Sequence, residues 1–225
     1  MAQTLRLGIA GLGTVGVGVV RILRQKSNLL RKRTGKSLKI TAVCARDRIK
    51  NRGLSLKDYA WETDVVSLAQ REDIDVFVEL IGGHSGPALE ATKIALSKGK
   101  DVVTANKAML AHFGHELAIK AEKKNALIRF EAAVAGGIPV IKSLTEGLAG
   151  NQISRVMGVM NGTCNYILTQ MQATGRDYKA LFEECAQLGY LEADPMLDVG
   201  GIDAGHKLSL ISSIAFGTQV DFGAV

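Results

Sequence analysis

The stretch Leu5-Arg-Leu-Gly-Ile-Ala10, running straight into Gly11-Leu-Gly13-Thr14-Val15-Gly16, decides the fold. Its first half is a short, mostly apolar strand pattern, and helical periodicity follows over residues 15–30. A G-x-G-x-x-G run alone says little in a chain with 25 glycines. Here it follows a strand, opens a helix and begins a βαβ unit, which is the context that a dinucleotide fingerprint requires. Gly11 would permit the tight turn, Gly13 would let the backbone approach a pyrophosphate, and Gly16 would let helix and strand pack closely. Thr14 and Val15 share that turn, where free N–H groups and a positive dipole end face the phosphates.

Working outward, further strand patterns lie at residues 38–44 (LKITAVC), 75–80 (DVFVEL), 101–105 (DVVTA) and 127–132. Helical patterns fall between them at 87–97, ending in Lys98-Gly99, and at 108–123. Strands alternating with helices imply crossover connections and a parallel sheet, and near-continuous apolar strands imply burial on both faces. The expected class is α/β, a Rossmann-type doubly wound parallel sheet. After Gly136-Gly137-Ile138-Pro139 the pattern changes to a helix at 140–148, a strand at 153–159 and then mostly helix. A dinucleotide-binding domain is therefore expected over 1–140. A second, α+β domain is expected over 141–225.

The residue after the second strand should read the adenosine ribose: an acid favours NAD and an arginine accommodates the 2′-phosphate of NADP. The sequence there is Cys44-Ala45-Arg46-Asp47-Arg48, with Lys50 following. Arg46, beside Ala45, favours NADP, while Asp47 keeps NAD open. The formal charge is +6, part of it in the block Arg31-Lys32-Arg33. No aromatics interleave with that block, so a solvated helix end fits better than a nucleic-acid interface. Three cysteines without metal-type spacing argue for a reducing, cytoplasmic compartment. The N-terminus has no signal-peptide pattern, and no run approaches the ~18 apolar residues of a membrane span.

Three later segments concentrate polar residues. In Thr104-Ala-Asn106-Lys107, the lysine lies just past a parallel strand's carboxyl end, where open α/β sheets bind ligands. Lysine at a helix start opposes the dipole, which hints at a purpose beyond solvation. In Glu192-Ala-Asp194-Pro195-Met-Leu-Asp198, three carboxylates crowd a proline turn. Turn chemistry and a pocket for an ammonium group explain that segment equally well. In Asp203-Ala-Gly205-His206-Lys207, acid and lysine stand four apart on one helix face. The ordinary reading is an exposed ion pair. The apolar run KLSLISSIAF argues instead for a mostly buried helix, in which such a pair needs a role.

The motifs GLGTVG, VVTANKAMLA, FEAAVAGGIPVIKSL, VMGVMNGTCNYIL and LGYLEADPMLDVGGIDAGHKL, in that order, resemble the homoserine dehydrogenase family along the whole chain. The resemblance implies an NAD(P)-dependent oxidoreductase. Its reaction interconverts L-aspartate 4-semialdehyde and L-homoserine in threonine, methionine and isoleucine biosynthesis. Lys207 would donate the proton to the substrate oxygen, with Asp203 holding it. Glu192 and Asp198 would bind the amino acid, and Lys107 would lie between nicotinamide and substrate. Glu131, with the carbonyls of Val134, Gly136 and Ile138, resembles a sodium-binding loop. Thr104 and Lys107 join the cofactor contacts, a homodimer or homotetramer is implied, and residues 141–225 would be a partial substrate and dimerisation domain, incomplete at its C-terminus. The chain departs from the family at Cys164, often threonine, at Gly205, often alanine, and by ending at Val225 in mid-domain.

Two rival readings remain. Cys164, just before a helical pattern, could be an acidified nucleophile in a phosphorylating semialdehyde dehydrogenase. A non-catalytic dinucleotide-binding module would keep the glycines and need nothing from Asp203 and Lys207.

Overall fold

The computed structural model describes residues 3–191 and 195–225. The chain divides into two compact units, Met1–Val140 and Ile141–Val225. The first unit contains β1 (Thr4–Ala10), α1 (Thr14–Gln25), α2 (Ser27–Thr34), β2 (Ser37–Cys44), β3 (Ala60–Glu62), α3 (Val65–Gln70), β4 (Val76–Glu79), α4 (Pro87–Ser97), β5 (Asp101–Thr104), α5 (Lys107–Glu122), β6 (Ile128–Arg129) and α6 (Glu131–Val134). Its six strands lie in the order β3-β2-β1-β4-β5-β6, and every neighbouring pair is parallel. This is the expected doubly wound α/β sheet. The chain builds outward from β1 to β3, then returns and builds the other way from β4. The carboxyl ends of β1 and β4 therefore flank the switch point, where this fold opens its crevice.

The strands are where they are because their apolar residues are buried on both faces. Leu7, Ile9, Ile40, Val43, Val76 and Val78 form one cluster with Leu12 and Val20 from the glycine turn and α1. Phe77 and Ile9 are fully excluded from solvent, a burial that stabilises by about 1.5–3 kcal/mol each. The helix expected over 15–30 is two helices, broken at Lys26 (φ −113°, ψ 13°). α2 buries none of its residues and ends on Gly35 at φ 70°, so the basic block is a solvated helix end.

A further expectation is corrected in this unit, and two elements are added. The strand expected at 127–132 shortens to Ile128–Arg129, and Glu131 instead opens the short helix α6. β3 and α3 had no counterpart in the sequence reading. Asp64 starts α3 by accepting the Ser67 N–H at 2.8 Å, and Val65, Leu68 and Ala69 bury its inner face.

At the boundary of the second unit, α7 (Val140–Lys142) continues into a π-helical turn, Ser143–Gly147. Then come α8 (Gly162–Thr174), α9 (Tyr178–Gln187), α10 (Pro195–Val199), α11 (Ile202–Phe216) and a 3₁₀ turn, Phe222–Ala224. Ile167 of α8 packs on Leu181 and Cys185 of α9, with Tyr166, Met171, Phe182 and Leu191 around them. Among the described residues this unit contains no strand, which corrects the strand expected at 153–159. That segment has β-branched residues but no neighbouring strand to receive its N–H and C=O groups, and Met157 and Val159 stand 78% and 74% exposed. Among the described residues, no helix is long and apolar enough to cross a membrane.

Candidate active site

The glycine turn shows a separate physical reason for each glycine. Gly11 sits at φ +94°, and a Cβ there would lie 2.3 Å from the Leu80 carbonyl oxygen. A Cβ on Gly16 would lie 1.9 Å from the Gly11 oxygen, so helix α1 could not seat on the turn. A Cβ on Gly13 would meet no atom within 4 Å, which leaves the approach to the turn open. Gly13 caps α1 without a side-chain hydrogen bond, and no acidic residue lies in the first turn. The N–H groups around Thr14, Val15 and Gly16 thus carry the positive end of the helix toward that open space.

Beyond β2, Ala45 is partly buried and Arg46 is exposed. The Asp47 carboxylate accepts the N–H groups of Ile49 and Lys50 at 2.9 and 3.0 Å, so it closes its own turn. Arg52, which sequence reasoning missed, fastens the region. Its Nε donates to the Leu12 carbonyl in the glycine turn at 3.1 Å. Its other nitrogens donate to the carbonyls of Lys50 and Asp47. Arg48 and Arg52 both lie over the Trp61 ring, at 5.9 and 5.7 Å from its centre. A guanidinium pointed at three carbonyls carries no sequence signature that spacing alone could expose.

At the carboxyl edge of the sheet, β5 ends at Thr104 and α5 begins at Lys107. Asn106 caps α5, its side-chain oxygen accepting the Met109 N–H at 3.0 Å, and its amide donates to the Gly83 carbonyl at 2.8 Å. Thr104 is 1% exposed, and its hydroxyl donates to Glu79 of β4 at 2.5 Å. Lys107 is partly buried at the sheet edge.

In the second unit, α11 is largely buried. Asp203 and Asp198 are each 4% exposed. The Lys207 Nζ donates to Asp203 Oδ2 at 2.7 Å and to the Met160 carbonyl at 2.9 Å. The side-chain amide of Asn161 donates to Asp198 at 2.9 Å and to Asp203 at 3.0 Å. Its oxygen caps α8 by accepting the Cys164 N–H at 2.8 Å. The exposed surface pair considered from spacing alone is thereby ruled out. Two carboxylates, one ammonium and a bridging amide share one wall, and Asn161 had not been singled out from sequence. Glu192 lies outside the described residues.

The Cys164 thiol donates to the Asp198 carbonyl at 3.3 Å. Burial, with Asp198 and Asp203 nearby, pushes its pKa up. That is the opposite of the acidified thiolate that the nucleophile reading needs. Gly205 is also accounted for: a Cβ there would meet the Phe222 ring at 2.9 Å, and that ring lies 4.4 Å from His206.

Around Glu131 the chain forms the short helix α6 and a turn with Gly137 at φ +82°. The Ile138 carbonyl accepts the Val140 N–H at 2.9 Å. Among the described residues, no group of three or more His, Cys, Asp or Glu could hold a metal ion. One carboxylate with backbone carbonyls is a hard-oxygen donor set suited to an alkali or alkaline-earth cation.

A family model described as "Homoserine dehydrogenase, NAD binding domain" matches residues 11–131, and one described as "Homoserine dehydrogenase" matches residues 139–225. The chain is 45% identical over 222 residues to a homoserine dehydrogenase of Neisseria gonorrhoeae, covering 99% of this chain and 51% of the relative. Against that of Bacillus subtilis it is 40% identical over 223 residues, covering 97% and 50%. The chain therefore spans about half the length of the curated relatives it matches. A crystal structure of a homoserine dehydrogenase from Thiobacillus denitrificans superposes with a TM-score of 0.92 at 41% identity, covering 98% of this chain and 51% of that one. A hyperthermophilic archaeal homoserine dehydrogenase in complex with NADPH gives 0.84 at 28% identity, covering 96% and 71%. With both family models tiling its length, the chain belongs to the homoserine dehydrogenase family.

Proposed function

We propose that the protein is an NAD(P)-dependent homoserine dehydrogenase interconverting L-aspartate 4-semialdehyde and L-homoserine. The observation that carries this reading is the Lys207 ammonium, held between Asp203 and the Met160 carbonyl in a wall with Asn161 and Asp198. Among the described residues it uses two of its three donors, which leaves one N–H for a substrate oxygen.

The dinucleotide is assigned to the first unit. Gly11, Gly13, Thr14, Val15 and Gly16 would cradle the pyrophosphate, Ala45 and Arg46 would border the ribose, and the segment from Thr104 to Lys107 would take the other end. Because the Thr104 hydroxyl is bonded to Glu79, Thr104 would contact the cofactor through its backbone. The bound nicotinamide supplies or accepts the hydride. In the reductive direction the carbonyl oxygen gains negative charge, and Lys207 neutralises it by giving up a proton. In the oxidative direction neutral Lys207 takes the hydroxyl proton. Asp203 holds Lys207 in place, Asp198 and Glu192 would receive the substrate ammonium, and Lys107 would orient the reacting end.

NADP is the preferred cofactor in this reading, because Asp47 is committed to its own turn while Arg46 is exposed. Glu131, Val134, Gly136 and Ile138 would hold sodium. The protein would work in the cytoplasm as a homodimer or homotetramer, without nucleic-acid or membrane partners. The test is homoserine-dependent reduction of NADP and of NAD, side by side, on full-length protein. Reduction of both with NADP preferred supports the whole reading. Preference for NAD removes the role given to Arg46, and no reduction of either removes the activity.

A further inference from the structure

Glu79 is the charged residue of β4, and it is fully buried. It stands at the strand's carboxyl end, paired in register with Ala10, the residue before the glycine turn. One carboxylate oxygen accepts the N–H groups of Ile81 and Gly82 at 2.7 and 3.1 Å. The other accepts the Thr104 hydroxyl at 2.5 Å. No lysine or arginine pairs with it among the described residues. A buried carboxylate without a counter-ion is expensive, and three converging donors are what make it tolerable. An apolar residue would fill β4 at lower cost, so the carboxylate calls for a reason beyond stability.

The direction of the hydrogen bonds supplies one. The Asn106 N–H donates to Thr104 Oγ at 2.9 Å, and the Thr104 hydroxyl donates to Glu79. The Asn106 side chain then holds the Gly83 carbonyl and caps the first turn of α5. A single acceptor thus fixes the loop after β4, the end of β5 and the turn that carries Lys107. In this fold the edge beyond β1 and β2 serves the adenosine half of a dinucleotide, which leaves the edge beyond β4 and β5 for its other half.

We propose that Glu79 is the positioning residue of that edge, setting the loop at 81–83 and, through Thr104 and Asn106, the placement of Lys107. The inference rests on the homoserine dehydrogenase reading for its turnover measurements. In Glu79→Gln, with the amide oxygen kept on the Ile81 and Gly82 N–H groups, the new NH₂ can only donate to Thr104 Oγ, so the Thr104 hydroxyl loses its acceptor and the hydroxyl that holds the Asn106 N–H must turn away. Thr104→Val removes the hydroxyl, and Thr104→Ser keeps it.

The experiment measures kcat, ADP-ribose affinity and amide hydrogen exchange for full-length wild type and these variants, well below their melting temperatures. Glu79→Gln and Thr104→Val should lower kcat by about tenfold or more, since misplacing a reacting group is costly. ADP-ribose affinity should stay within about threefold, because the adenosine side is untouched. Thr104→Ser should recover most of what Thr104→Val loses. The Asn106 amide in Glu79→Gln should exchange about tenfold faster or more. Unchanged kcat, ADP-ribose affinity lost in step with kcat, or a serine variant as impaired as the valine one each overturns the proposal. If Glu79→Gln does not fold, the Thr104 pair decides. If wild type does not oxidise homoserine, the functional reading fails by itself. Amide exchange then decides Glu79: faster Asn106 exchange sustains the proposal, and unchanged exchange ends it.

Discussion

Gly13 and Gly16 occupy one turn, yet they should respond oppositely to the same methyl group. Gly16→Ala places a carbon against the Gly11 carbonyl, and this should cost about 3 kcal/mol or more, read as a lower urea midpoint. Gly13→Ala meets open space at an extended backbone angle (φ −77°, ψ −162°), so its stability should stay within about 1 kcal/mol of wild type. The same change should weaken NADPH binding by about tenfold or more, because the methyl occupies the approach of the pyrophosphate. If Gly13→Ala bound NADPH normally, the open space above the turn would not be a phosphate site. At Cys164 the raised thiol pKa predicts slow alkylation by iodoacetamide at pH 7, and Cys164→Ser should retain turnover without phosphate. Rapid labelling with loss of turnover would restore the cysteine chemistry. The glycines and the Asp203–Lys207 pair were legible because their spacing states their geometry. Glu79, Arg52 and Asn161 were not, since each acts on groups distant in sequence: Glu79 on Thr104, Arg52 on Leu12, and Asn161 on Asp198 and Asp203.

Among the elements, runs carrying several buried apolar residues gave reliable signals, and runs without them did not. β2, α4 and α5 fall close to their expected bounds because each carries several buried apolar residues at the right period. β3 has three residues and α3 six, too few for a period to emerge, and only the Asp64 cap marks the latter. The segment 153–159 misled because β-branched residues report what a sheet can accept, and sheet formation also needs a neighbouring strand. β1 and β4 are further joined by Arg6, whose backbone N–H and guanidinium both donate to Asp75. The Arg6 guanidinium holds the Asp75 carboxyl below its usual range. A depressed carboxyl pKa stabilises fully above the unfolded value of ~3.9 and loses that effect as pH falls through the folded value. Arg6→Met should therefore lower the urea midpoint at pH 7, and the difference from wild type should shrink as the pH drops below ~4. A difference independent of pH would assign the effect to packing of the arginine stem instead.

For the whole molecule, the class and the glycine turn followed from alternation of strand and helix, a property that sequence displays directly. The chemistry of the second unit did not follow in the same way. Asp198 read equally well as a turn residue, and Asp203 as half of an exposed ion pair, until burial separated them: each is 4% exposed, and either surface role would leave it solvated. Both units match models of one family, so the dinucleotide and the proton donor belong to one reaction in this account. The most direct test is the turnover of Lys207→Ala in the full-length protein, with homoserine and with NADPH affinity measured on the same sample. The expected result is a kcat lower by about a thousandfold, at the scale of a lost acid–base group, with NADPH binding unchanged. Turnover near that of wild type would contradict it, because the proton would then come from elsewhere.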